Sequence, residues 1–174
     1  MFLNGLNDDI QFQLLKKISN EKKWLSALEG KLVSYMRFCE LLIPYMQSKG
    51  FGRIINIAGI SGSEPSESLF VPGVINAAID NFTKSLANIC GSHGVTVNCI
   101  NPGFIRSSRF DDYMSHVYSE RQLRATEELI ELIPLKRLGT PNDVASIACF
   151  IASTRASYVN GASIPVDGGF RRGI

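Results

Sequence analysis

The segment Asn101-Pro102-Gly103, which closes the β-branched run VTVNCI at 95–100, is where this chain frees backbone groups for chemistry. Proline ends strand pairing and glycine permits a sharp turn. Residues 104–107 then present N–H and C=O groups at the C-terminal end of a strand, where open α/β sheets take ligands. Taken alone, Pro102-Gly103 reads first as a strand-ending turn. The other reactive side chains form no constellation. His93 and His116 have no nucleophile at an informative spacing, and His93 in GSHG falls in a helix-to-strand turn, where exposure is expected. Cys39, Cys90, Cys99 and Cys149 show neither CxxC nor Cys/His ligand spacing and lie in apolar segments, so buried free thiols are expected, with no metal site or disulfide.

The elements that must position these groups alternate. Trp24, Leu28, Leu32, Tyr35, Cys39 and Ile43 recur at helical steps, which predicts one long amphipathic helix over 21–48, interrupted near Pro44 and stopped at Lys49-Gly50. RIINIA at 53–58 predicts a strand buried on both faces, and the polar SGSEPSES that follows is loop. Pro72 suits the first turn of a helix ending near Gly91, with Val74, Ala77, Ala78, Phe82, Leu86 and Ile89 as its apolar face. Val95 to Ile100 is a second strand. The charged stretch 109–133 is helical, Thr140-Pro141 opens a helix through about Ser153, and Ala162 to Val166 is a third strand that turns away at Asp167-Gly168-Gly169.

This succession predicts an α/β fold: a Rossmann-like, three-layer parallel sheet with crossover helices, truncated at its N-terminal side, in a single partial domain over 1–174. Three strands make a narrow sheet for such a chain. The 174 residues carry 18 basic against 16 acidic side chains, and the Lys16-Lys17, Lys22-Lys23 and Arg171-Arg172 pairs are scattered. A nucleic-acid partner is therefore not expected, and the charges read as solvated surface. Apolar stretches fall far short of a membrane span, and MFLNGLNDD lacks the flank and apolar run of a secretory signal, so a cytoplasmic protein is expected.

Five strings resemble the C-terminal half of the short-chain dehydrogenase/reductase family: GFGRIINIAGISG, INAAIDNFTKSLA, GVTVNCINPGFIRS, LKRLGTPNDVASIACFIAS and YVNGASIPVDGG, in family order over about 120 residues. The resemblance implies an oxidoreductase using NAD or NADP, with Pro102, Gly103, the backbone of Ile105 and the hydroxyl of Ser107 holding the nicotinamide carboxamide. It implies that residues 104–133 occupy the place of a substrate lid. It also implies oligomers formed through the helices at 21–48 and 72–90, either with itself or with a homologous subunit.

The chain departs from the family at its reaction centre. The family's serine, tyrosine and lysine align with Gly59, Pro72 and Asn76, and the helix asparagine that completes its proton relay aligns with Lys31. No GxxxGxG turn is present, and MFLN is the only remnant offered for a fourth strand. A glycine and a proline offer no side-chain donor, so the usual mechanism is not available at these positions. The catalytic residues are thus unassigned. Ser61 and Ser63 are substitutes for holding a carbonyl, though as loop hydroxyls they are expected to bond local backbone; Lys31 is a substitute proton donor, though a surface or interface charge is the plainer expectation. Two readings follow: a truncated or divergent member of an oxidoreductase family acting on a small molecule, or a non-catalytic interaction subunit.

Overall fold

The computed structural model describes residues 20–118 and 122–173. The strand remnant read at MFLN lies outside the described residues. In chain order the elements are α1 (Glu21–Ala27), a π-helical segment (Leu28–Val33), α2 (Ser34–Ser48), β1 (Gly52–Ile57), α3 (Phe70–Cys90), β2 (Val95–Pro102), α4 (Ser108–Tyr118), α5 (Gln122–Leu132), α6 (Pro141–Ala152) and β3 (Ser163–Val166). The strands are parallel in the order β1-β2-β3, with Gly52 opposite Val95 and Cys99 opposite Ser163. The Rossmann-like parallel sheet with flanking helices expected from the sequence is the fold observed.

β2 is the spine of the sheet. Paired on both sides, it is buried from Val95 to Asn101. Val95 and Val97 pack with Ala87 and Cys90 of α3, and Ile43 and Met46 of α2 close over them. Toward the start of α3, Val71, Ile75 and Ile79 pack on Cys99, with Trp24, Leu28 and Tyr35 against them. Strand alternation leaves the other face to α6, which meets β1 and β2. Among the described residues β1 has no partner on its outer side, and it is only half-buried rather than covered on both faces as predicted.

Two further expectations are corrected. The long helix does not break at Pro44, which sits inside α2; its ring is on the exposed side, where water can serve the carbonyl it leaves unpaired. The irregularity is instead the π turn at Leu28–Val33. The stripe predicted for α3 is not its buried face: Val74 and Ile89 are exposed, while Val71, Ile75, Ile79, Thr83 and Ala87 recur every four residues toward the core. Counting only apolar residues missed that this face uses Thr83, which accepts a 2.8 Å hydrogen bond from Asn56 Nδ2, and Asn76. Residues 109–133 form two helices with a small core of their own, in which Phe110, Met114, Ala125, Ile133 and Leu138 pack together.

Candidate functional site

Parallel register brings the C-terminal ends of β1 and β2 side by side, with Ile57 opposite Ile100, and Ala58 N–H extends the ladder to the Ile100 carbonyl at 2.9 Å. The chain leaves β1 through Gly59, whose N–H donates to Asn101 Oδ1 at 2.9 Å. It then makes a single 3₁₀ turn, Ile60–Gly62, pressed onto the start of α3. The approach requires glycine on both sides. A Cβ at Gly62 would lie 2.8 Å from Ala77 N, and one at Gly73 would lie 2.8 Å from the Ser61 carbonyl oxygen. This contact sets the buried hydroxyl of Ser61 against Asn76.

Asn76 is the centre of a polar cluster. Its Nδ2 donates to Ser61 Oγ at 2.9 Å, and its Oδ1 accepts from Lys31 Nζ at 2.7 Å. Lys31 Nζ also donates to the Ala58 carbonyl at 3.0 Å, which ties the helix to the end of β1. Lys31 belongs to the π segment, where the wider turn re-aims side chains; such turns are frequent at functional sites. Ser34 Oγ bonds the Glu29 carbonyl at 2.9 Å within the same distortion. One turn beyond Lys31, Tyr35 donates its hydroxyl to the Ile57 carbonyl at 3.0 Å and locks the helix to the strand. Burial lowers the pKa of the Lys31 ammonium from its ordinary value, and the charge of Arg109 at the start of α4 lowers it further.

The second half of the site follows β2. Gly103 N–H bonds the Val166 carbonyl at 3.0 Å, and a Cβ at Gly103 would lie 2.8 Å from Asp167 Cα, so only glycine permits this crossing. Ile105 then forms an isolated parallel bridge with Gly139. The bridge is made by the Phe104 carbonyl and the Arg106 N–H, both at 2.9 Å from Gly139. Ile105's own N–H and C=O consequently point the other way; Ser107 donates its hydroxyl to that carbonyl at 3.3 Å and accepts from Phe110 N–H at 3.3 Å. A backbone donor and a backbone acceptor beside a hydroxyl at a strand's C-terminal end can pair with the C=O and N–H groups of a primary carboxamide.

The structure thus brings Pro102, Gly103, Ile105 and Ser107 into one turn, and separately joins Lys31, Asn76 and Ser61. Lys31 is not the surface charge expected, and Ser61 is not committed to local backbone; Ser63 is, through the Ile60 carbonyl at 3.2 Å. Pro72 is exposed and contributes no polar atom. His93 is exposed, as expected in its turn. Cys39, Cys90 and Cys99 are buried thiols, but Cys149 is exposed, because α6 buries little beyond Ile151. Asn76 and Asn101 were the residues that sequence reasoning missed as organisers. The signal available was joint: the helix that lost its lysine gained an asparagine, and the helix that lost its asparagine gained a lysine.

The family described as Enoyl-(Acyl carrier protein) reductase matches residues 10–171. The chain is 36% identical to the NADPH-dependent reductase BacG of Bacillus subtilis over 158 residues, covering 89% of this chain and 61% of that protein. To the 3-oxoacyl-[acyl-carrier-protein] reductase FabG of Vibrio cholerae it is 34% identical, covering 86% of this chain and 58% of the relative. The structure of L-sorbose reductase from Gluconobacter frateurii, complexed with NADPH and L-sorbose, superposes with a TM-score of 0.82 at 28% identity, over 90% of this chain and 61% of that one. The chain therefore spans about three fifths of the length of the curated relatives it matches. With its parallel sheet, its ordered sequence blocks and these relatives, the chain belongs to the short-chain dehydrogenase/reductase family of oxidoreductases.

Proposed function

We propose that this chain supplies the nicotinamide-facing and substrate-facing side of an NADPH-linked carbonyl reductase, as a divergent member whose reaction centre has been rebuilt from different residues. One observation carries the reading: Lys31, Asn76 and Ser61 form a connected polar cluster at the C-terminal end of the sheet. A chain that had merely shed its chemistry would have no reason to hold a half-buried ammonium there. Ile105 and Ser107 are the groups that would take the carboxamide of the cofactor, with Pro102 and Gly103 shaping their turn. The relatives named above use NADPH or reduce 3-oxoacyl and ketose carbonyls, which supports NADPH over NADH and a carbonyl substrate. The 174 residues contain no glycine-rich pyrophosphate turn, so on its own this chain is expected to hold the cofactor weakly and turn over slowly.

Calorimetric titration of the purified chain with NADPH and with NADH tests the reading. Saturable heat with NADPH, weakened by Ser107→Ala and kept by Ser107→Thr, is the expected result. No binding at millimolar cofactor would overturn it.

A second reading, a non-catalytic cytoplasmic subunit that pairs with itself or with a fuller homologue, is favoured by the apolar face of α2. Phe38 is 64% exposed, Leu41 75% and Tyr45 65%. Sedimentation of the chain distinguishes an assembly from a compact monomer. Among the described residues no helix is long and apolar enough to cross a membrane.

A further inference from the structure

Resting on the carbonyl-reductase reading above, we propose that Lys31 is the proton donor to the substrate oxygen, that Ser61 holds that oxygen, and that Asn76 positions both. Lys31 carries three N–H groups. Two are fixed, to Asn76 Oδ1 at 2.7 Å and to the Ala58 carbonyl at 3.0 Å, which points the head group at the strand end and leaves one proton to give. Ser61 Oγ accepts from Asn76 Nδ2 at 2.9 Å, so its own O–H is free to donate to a carbonyl oxygen. One carboxamide therefore sets the ammonium and the hydroxyl beside each other, so that a substrate oxygen bound by Ser61 is served by Lys31 directly or through one water.

The roles follow from what each group can do. An asparagine cannot titrate, so it serves as a rigid two-ended clamp rather than as an acid. A lysine in bulk water is a weak acid at neutral pH, whereas burial and the Arg109 charge both favour release of the proton from Lys31. The same positive charge stabilises negative charge as it develops on the substrate oxygen.

A reduced nicotinamide, when bound, supplies the hydride. As the new C–H bond forms at the carbonyl carbon, the C=O π pair moves to oxygen, an O–H bond forms there, and an N–H bond of Lys31 breaks. The products are the alcohol, the oxidised nicotinamide and a neutral Lys31 amine, which water reprotonates.

Two measurements on the full chain test this. In the first, lysines are labelled with ¹³C at Cε and the Lys31 resonance, assigned by Lys31→Arg, is followed through a pH titration. Its midpoint is expected below those of the other lysines, and Asn76→Asp is expected to raise it. A Lys31 that titrates with the remaining lysines overturns the proposal without any appeal to activity. In the second, NADPH oxidation is followed with a 3-oxoacyl thioester and with a ketose as probes. Lys31→Met is expected to lower kcat by about 100-fold or more with KM for NADPH little changed. Lys31→Arg keeps the charge but cannot release a proton, so it should abolish the fall in rate at high pH that the native lysine is expected to give. NADPH turnover that is unchanged in Lys31→Met overturns the donor assignment and leaves the reductase reading standing. A native chain that neither binds NADPH nor oxidises it overturns the reading, and the donor role falls with it.

Discussion

Gly59 and Asn76 occupy each other's space: a Cβ at position 59 would lie 2.9 Å from Asn76 Nδ2. The amide cannot swing aside freely, because its other end holds Lys31 and the same nitrogen donates to Ser61. A serine at 59 and an asparagine at 76 are therefore alternatives, and the departures at Gly59, Asn76 and Lys31 meet at one point in the fold. Restoring the family residue with Gly59→Ser is expected to destabilise the fold by about 1–3 kcal/mol, as overpacking of a tight site does. Adding Asn76→Ala should recover part of this loss, with a coupling of at least about 0.5 kcal/mol in a thermal-melt double-mutant cycle. Strict additivity of the two changes would show that the positions do not exclude each other.

Asn101 is the anchor beneath that site. Its Oδ1 accepts from Gly59 N–H at 2.9 Å, while its Nδ2 donates to the Asp80 carboxylate at 3.0 Å and to Ser163 Oγ at 2.8 Å. One buried side chain thus joins the exit of β1, helix α3 and the start of β3. Asn101→Ala leaves each of these partners short of a bond, and a cost of about 2 kcal/mol or more is expected, read as a lower urea midpoint at an unchanged slope. Asn101→Asp should cost more, because it sets a carboxylate against Asp80. A midpoint within error of the native value for Asn101→Ala would mean that water replaces the network.

The parallel sheet was legible because β-branched runs bounded by glycine and proline have few alternative uses, and the Thr140-Pro141 helix start because its cap is a local signal. The face of α3 was not, because burial there follows hydrogen-bonded Asn76 and Thr83, which hydropathy counts as surface residues. The π turn was not, because it takes its reward from contacts made across the fold, Lys31 to Asn76 and Tyr35 to Ile57, 45 and 22 residues distant in sequence. Position by position, Gly59, Asn76 and Lys31 looked like losses. Their mutual geometry joins them at one site.

Cys99 makes alkaline stability a measurable property of the sheet. Burial is the largest cause and the nearby Asp80 charge the next in pushing its thiol from 9.0 up to about 12. Between these values the folded chain keeps a proton that the unfolded chain has lost, so stability must fall as pH rises, by up to about 1.4 kcal/mol per pH unit. Cys39 and Cys90 are pushed in the same direction by burial. Melts of the native chain and of Cys99→Ala at about pH 8 and about pH 10 isolate the effect. The mutant starts lower because of its cavity, yet its melting temperature should fall less over the interval. Parallel declines would assign the alkaline loss to other groups.

At the acid end a contributing group is Asp143, in the first turn of α6. Arg137 donates to both its carboxylate oxygens at 2.9 and 3.0 Å, and the N–H and hydroxyl of Thr140 donate at 2.6 and 2.8 Å. The Arg137 hydrogen bonds, first, and those from Thr140, second, hold its carboxyl well below the usual carboxylate range. A depressed folded pKa means that the stabilisation is fully present above the ordinary value of 3.8 and is lost as pH falls through the folded one. Asp143→Asn is therefore expected to melt below the native chain at neutral pH, with the gap narrowing steadily as the solution is acidified past about pH 4. Thr140→Ala, which removes the cap hydroxyl and keeps the Arg137 pair, should cost about 1 kcal/mol at neutral pH and leave the acid-dependent narrowing in place. A gap between Asp143→Asn and the native chain that stays constant down to acid pH would show that the carboxylate acts as a neutral hydrogen-bond acceptor at this helix start and that its charge contributes nothing.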